Sequence, residues 1–169
     1  MEPYMTIHAY PPENSFLEEG IRSYLNSLPV RKNRLEESLF LLLNKNSISE
    51  IIINRVIENT PYYRVFILTC EKFMPLALYY LNAHPGKVSI LSRDENQSEE
   101  RASAGFTTSI THLKEVTSIT PGEYRALTLT LSEKSLCRQT ERTRKKVFYY
   151  HRSSALQKMG LKRINALFI

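Results

Sequence analysis

Three apolar runs punctuate the first half of the chain: "SLFLLLN", "YRVFILTC" and "GKVSILS". Each has strand length and is continuous, with no regular alternation of apolar and polar residues. That pattern predicts strands covered on both faces. The stretches around them carry helical spacing instead. In "ENSFLEEGIRSYLNSL", Phe16, Leu17, Ile21, Tyr24 and Leu25 fall on one face, with Asn14 or Ser15 as the cap. "SISEIIINRVIEN" predicts a helix with Ser47 or Ser49 near its start, and "KFMPLALYYLNAH" another with Pro75 in its first turn. A proline is tolerated there because the N–H it lacks would have no partner within the helix. "MTIHAY" reads as a short strand ahead of them. Strand and helix thus alternate from Met5 to Ser92, which predicts a small α/β layer built on a parallel sheet.

The pattern changes after Ser92. "RDENQSEERASAG" is polar and acidic, a surface helix or a loop. From Pro121 onward every segment has helical spacing. "PGEYRALTLTL" is opened by Thr120 as cap with Pro121 at the first helical position. "SEKSLCRQTE" follows, capped by Ser132, and "TRKKVFYYHRSSALQKM" is capped by Thr143 and closed by Gly160. A last short helix is expected in "RINALF". The expected organisation is an α/β domain over residues 1–118 and an all-α domain over residues 119–169, with the boundary near Ser118. In the last long helix Phe148, His151 or Arg152, Ala155 and Met159 form one stripe, while Tyr149, Tyr150 and Ser153 point elsewhere. Two helices joined by a short turn, the second basic, are the elements of a helix-turn-helix.

Charge sharpens this division. Residues 1–118 hold twelve basic and fourteen acidic side chains, whereas residues 119–169 hold eleven basic and three acidic, a net +8. A nearly neutral module joined to a strongly basic one points to a polyanion as partner for the second, and double-stranded DNA fits best.

Other chemistry is hard to find. The five glycines form no phosphate-binding loop, and no GxSxG or carboxylate pair stands at a plausible catalytic site. Neither catalytic residues nor metal ligands nor a cofactor are expected, and the chain reads as a non-enzyme. Cys70 and Cys137 are far apart and make no CxxC or CxxH pair, and are expected to be structural thiols in a reducing cytoplasm. No segment approaches about 18 uninterrupted apolar residues, so no membrane partner is expected. The N-terminus has no signal-peptide pattern. The expected location is cytoplasmic, at the nucleoid.

Against this background, "ITPGE", "LSEKSLCRQT" and "KKVFYYHRSSALQKMGL" resemble the opening, second helix and recognition helix of a LuxR-type (NarL/FixJ-like) DNA-binding domain. His151, Lys158, Met159, Gly160 and Leu161 stand in the family spacing. The segment between the first two helices is shorter than the family pattern and lacks its glycine. One extra residue is accommodated in the turn near Glu141, which aligns the family's Thr-Val pair with Val147 and Phe148. The resemblance implies that Tyr149, Tyr150 and Ser153 face base edges. It implies that Arg144, Lys145, Lys146 and Lys158 hold phosphates, and Arg152 completes the DNA-binding set.

The first 118 residues resemble a receiver domain. "ENSFLEEGIRSYL" is similar to its first helix, "FLLLN" to the strand bearing the phospho-acceptor, and "VFILT" to the next core strand. The chemistry is missing. Asn44 occupies the acceptor position, the acidic pocket is reduced to Glu13 beside Asn14, and Asp94 is the sole aspartate. Aspartyl phosphorylation is therefore not expected. The whole layout resembles the enterobacterial BglJ/RcsA/EcpR/TviA group, several of which act with the response regulator RcsB. The resemblance implies a DNA-binding transcription regulator working as a homodimer or as a heterodimer with an RcsB-like response regulator. The alternative is a protein-binding modulator that captures a response regulator without touching DNA. Two surfaces are candidates for pairing: the helix "SFLEEGIRSYL", and "PLALYYL" with Tyr79 and Tyr80.

Overall fold

The structure is a computed structural model and describes residues 8–27, 38–49, 56–62, 64–92, 116–131 and 142–167. Its centre is a parallel sheet of β1 (His8–Tyr10), β2 (Ser38–Leu43), β3 (Arg64–Thr69) and β4 (Val88–Ser92), arranged in the order β1-β2-β3-β4. The register runs from Ser38 opposite Arg64 to Leu43 opposite Thr69, and from Val65 opposite Val88 to Thr69 opposite Ser92. β1 pairs through His8 opposite Leu39 to Tyr10 opposite Leu41.

Side chains of a strand alternate between faces, and here both faces are apolar. Leu39, Leu41 and Leu43 of β2 join Val65 and Ile67 of β3 and Val88 and Ile90 of β4 in one cluster. Phe40, Leu68 and Leu91 belong to the other face, with Leu42 and Phe66 partly buried beside them. The Phe40 and Phe66 rings stack at 5.2 Å. This double burial is why the runs lack polar alternation. Burying a side chain such as Leu41 or Ile67 contributes about 1.5–3 kcal/mol.

The second face is met by α1 (Ser15–Ser27), which inserts Ile21 and Leu17. Asn14 caps it: the Leu17 N–H donates to Asn14 Oδ1 at 3.0 Å. Phe16, expected on the inner face, is instead 92% exposed. It adjoins the inward-facing Leu17 in sequence, and neighbouring residues lie about 100° apart around a helix.

The first face is met by α3 (Met74–Ala83), preceded by a 3₁₀ turn at Glu71–Phe73, with Pro75 in its first turn as expected. Between β2 and β3, residues 48 and 49 are helical, and α2 (Val56–Asn59) falls within the stretch expected to be a helix. Residues 50–55 of that expected helix lie outside the described residues, as does the acidic stretch after Ser92. Cys70 is exposed at the end of β3, contrary to the expectation of a packed thiol, and Cys137 is outside the described residues.

In the last third, α4 (Pro121–Leu131) and α5 (Arg142–Lys158) pack on each other, followed by a 3₁₀ turn at Ile164–Leu167. The expected middle helix and its cap Ser132 lie outside the described residues. α5 begins at Arg142, so Thr143 stands inside its first turn and is not the residue before it. Its end matches expectation. Gly160 adopts φ +67, its N–H donates to Gln157 O, and the Leu161 N–H donates to Leu156 O at 2.8 Å. This pair of bonds is the Schellman motif, and the left-handed backbone it needs favours glycine.

The residues on either side of Ser118 share one core. Ile119, Tyr124, Leu127, Ala155, Leu156 and Met159 belong to the same buried cluster as the α3 side of the sheet. The Ile119 N–H donates to Pro75 O at 3.2 Å. Tyr124 stacks on Tyr79 at 4.3 Å, and its hydroxyl lies 3.4 Å from that of Tyr80. Tyr80 is 2% exposed. The tyrosine pair expected as a docking surface is therefore occupied within the chain.

Candidate nucleic-acid interface

The orientation of α5 is fixed from α4. Thr120 and Glu123 form a reciprocal capping box. The Thr120 N–H donates to Glu123 Oε2 at 2.6 Å, and the Glu123 N–H donates to Thr120 Oγ1 at 3.3 Å. The carboxylate also reaches α5. Ser154 Oγ donates to Glu123 Oε1 at 2.6 Å, and Lys158 Nζ lies 2.8 Å from Oε2 and 2.9 Å from Ser118 O. Glu123 is 4% exposed. Burial alone would raise its carboxyl. The bonds from Lys158, Ser154 and Thr120 outweigh that and hold it below the ordinary glutamate value. Its place in the first turn of α4 adds the favourable end of the helix dipole.

One turn earlier on α5, the His151 ring lies over Gly122. A methyl group at position 122 would meet His151 Cε1 at 3.0 Å, so the missing side chain allows the close approach. His151 is partly buried, in keeping with a packing role. Phe148 is partly buried too, and Ala155 and Met159 are buried, so the inward stripe is the expected one.

The opposite side of α5 is open. Lys145, Lys146, Tyr149, Tyr150 and Ser153 are all exposed, and their four-residue spacings place them on one face. Tyr149 is 50% and Tyr150 70% exposed. Arg152 flanks this face, partly buried, with its guanidinium 4.9 Å from the centre of the Tyr149 ring. Arg144 lies in the same helix, but its side chain is not among those described. Lys158 departs from expectation. Its ammonium is committed to Glu123 and Ser118 inside the joint between helices, so it is not a phosphate contact.

Glu123 was not among the candidates, although the signal was there. Thr120-Pro121-Gly122-Glu123 matches the capping-box spacing, whereas the reach to Ser154 and Lys158 has no local sign.

At the acceptor position of the N-terminal part, Asn44 closes its own loop. Its Oδ1 accepts the N–H groups of Asn46 at 2.9 Å and Ser47 at 3.1 Å. The buried Ser47 Oγ accepts the Asn44 N–H at 3.1 Å and donates to Leu42 O. Among the described residues, no cluster of His, Cys, Asp or Glu could hold a metal ion, and no helix is long and apolar enough to cross a membrane. A cleft of about 400 Å³ beside β1 is lined by His8, Tyr10, Glu13, Asn59 and Tyr62 among others. None of its lining residues belongs to α5.

Comparison with protein-family models, with curated proteins and with solved structures gives no match to this chain.

Proposed function

We propose that the chain is a DNA-binding transcription regulator that acts without aspartyl phosphorylation, as a homodimer or with an RcsB-like response regulator. The observation that carries this reading is the exposed face of α5. Two lysines, two tyrosines and a serine occupy one side of a helix in the segment of net +8 charge. Lysines neutralise phosphates whatever the sequence, and tyrosine and serine offer hydroxyls and ring faces to base edges. The fold of the first part, a parallel sheet with helices on both faces, is compatible with a receiver-like domain. The closed Asn44 turn supports a domain that does not take up phosphate.

The test is titration of the full chain onto duplex DNA at several salt concentrations. Affinity should fall linearly with the logarithm of salt concentration. Binding that ignores salt, or no binding by the chain either alone or mixed with an RcsB-like response regulator, overturns the reading.

A second reading, capture of a response regulator without DNA contact, is favoured by one observation. Val147, Tyr149 and Tyr150 expose half or more of their surface close together on α5, and exposed aromatic groups are enriched where proteins meet. A stable complex with a response regulator that forms equally without DNA, from a chain that retards no duplex, would support it.

A further inference from the structure

On the DNA-binding reading of α5, we infer that Arg152 is its guanine-reading residue, held in place by the Tyr149 ring. The two are three residues apart on α5, so their side chains lie over one another on the helix surface. The Arg152 guanidinium sits 4.9 Å from the centre of the Tyr149 ring, which is the range of a cation–π contact. Among the described residues no hydrogen bond or ion pair holds it as well. The other basic side chain of the expected set inside the joint, Lys158, is consumed by Glu123.

Arg152 therefore combines two properties. It is partly buried and stacked, so much of its rotamer freedom is already lost before any ligand arrives. Its N–H donors form a flat fork that no carboxylate within the described residues occupies. A preorganised fork, unoccupied by any described carboxylate and set beside exposed Lys145, Tyr149 and Ser153, matches the O6 and N7 acceptors of guanine in the major groove. Lys145 and Lys146 carry no such support among the described residues and are left the sequence-independent phosphate contacts. In this arrangement Tyr149 is a positioning residue, acting through Arg152 with its ring; its hydroxyl is not needed.

The experiment is selection of bound sites from a randomised duplex pool by the full chain, followed by titration of the selected duplex and of its guanine-to-adenine variants. The wild type should select a fixed guanine in each half-site and prefer it about tenfold or more over adenine. Arg152→Lys keeps the charge and removes the fork, and should lose that preference while still binding duplex DNA in a salt-dependent way. Tyr149→Phe keeps the ring and should keep the preference, whereas Tyr149→Ala should reduce it. All these positions lie on the exposed side or its margin, and circular dichroism of each variant checks the helix. An Arg152→Lys protein that selects the same guanine as the wild type overturns the inference and leaves the DNA reading intact. Equal preferences in Tyr149→Phe and Tyr149→Ala overturn the role of the stack. Salt-independent behaviour of the wild type removes the DNA reading and the inference together.

Discussion

Lys158 Nζ lies 2.8 Å from Glu123 Oε2, and this buried pair joins the last turn of α5 to the first turn of α4. The lysine side chain is 21% exposed and the glutamate 5%, so solvent screens the pair only weakly. Two further donors, Ser154 Oγ and the Thr120 N–H, share the carboxylate. Removing the carboxylate strands a cation in the joint. Glu123→Ala should destabilise the folded protein by about 3–5 kcal/mol, read from denaturant unfolding. Adding Lys158→Met should recover part of the loss, and strictly additive effects would show that the pair is not coupled.

The same carboxylate gives an acid dependence. Its folded pKa is lowered, so the stability it contributes is complete above the ordinary glutamate value of 4.5. It is lost as pH falls below that value through the lowered one. Unfolding midpoints measured from pH 6 downward should decline in this window, and the decline should be shallower in Glu123→Gln. The alkaline end belongs to Tyr80. Burial, with Tyr124 beside it, raises its hydroxyl well above the ordinary 10.0. The contribution of its neutral form is complete below that value and is lost as pH rises through the raised one.

Small phosphodonors should leave the protein unmodified, and Asn44→Asp should not restore phosphorylation. The side-chain oxygen at this position is turned onto the N–H groups of Asn46 and Ser47, and an aspartate would be held there in the same way. No metal-binding cluster stands among the described residues. Asn44→Ala should cost roughly 1 kcal/mol through loss of the turn bonds. Acid-labile phosphate on either the wild type or Asn44→Asp is the contrary result, sought by intact mass before and after acid treatment.

Replacing Lys145 and Lys146 together with alanine should weaken binding to all duplexes alike. The salt dependence should flatten by roughly one to two units of slope. Tyr150→Ala should instead erode discrimination between sites, by roughly 1–3 kcal/mol if the ring or hydroxyl meets a base. Anisotropy titrations on selected and random duplexes separate the two patterns. Equal losses on both duplexes from the tyrosine change would mean that Tyr150 does not read bases.

The strands β2, β3 and β4 and the helices α1, α3, α4 and α5 were legible because each carries its own periodicity or its own continuous apolar run. Thr120, Pro121 and Gly160 marked helix ends through local backbone chemistry, and the structure uses all three that way. What could not be read were contacts between elements distant in sequence. A lysine in the family spacing looks the same whether it meets a phosphate or a glutamate thirty-five residues away. Adjacent Tyr79 and Tyr80 likewise suggest an exposed patch until Tyr124 is placed on them. Phe16 shows the reverse error, since a helical face drawn slightly too wide included a side chain that points to solvent.

The stack of Tyr124 on Tyr79, with the Ile119 bond to Pro75 beside it, ties α4 directly to α3. A tether would let two recognition helices in a dimer search for their half-sites independently. Should the chain bind DNA as a dimer, as proposed, a welded joint would make that dimer a gauge of fixed width. Inserting one base pair between half-sites moves them by about 3.4 Å and rotates one against the other by roughly 34°, which a gauge of this kind cannot follow. Operators for such a protein would therefore share one spacer length even where their sequences diverge. Loosening the weld, as in Tyr124→Ala, would widen the range of spacers accepted before it changed which bases are read.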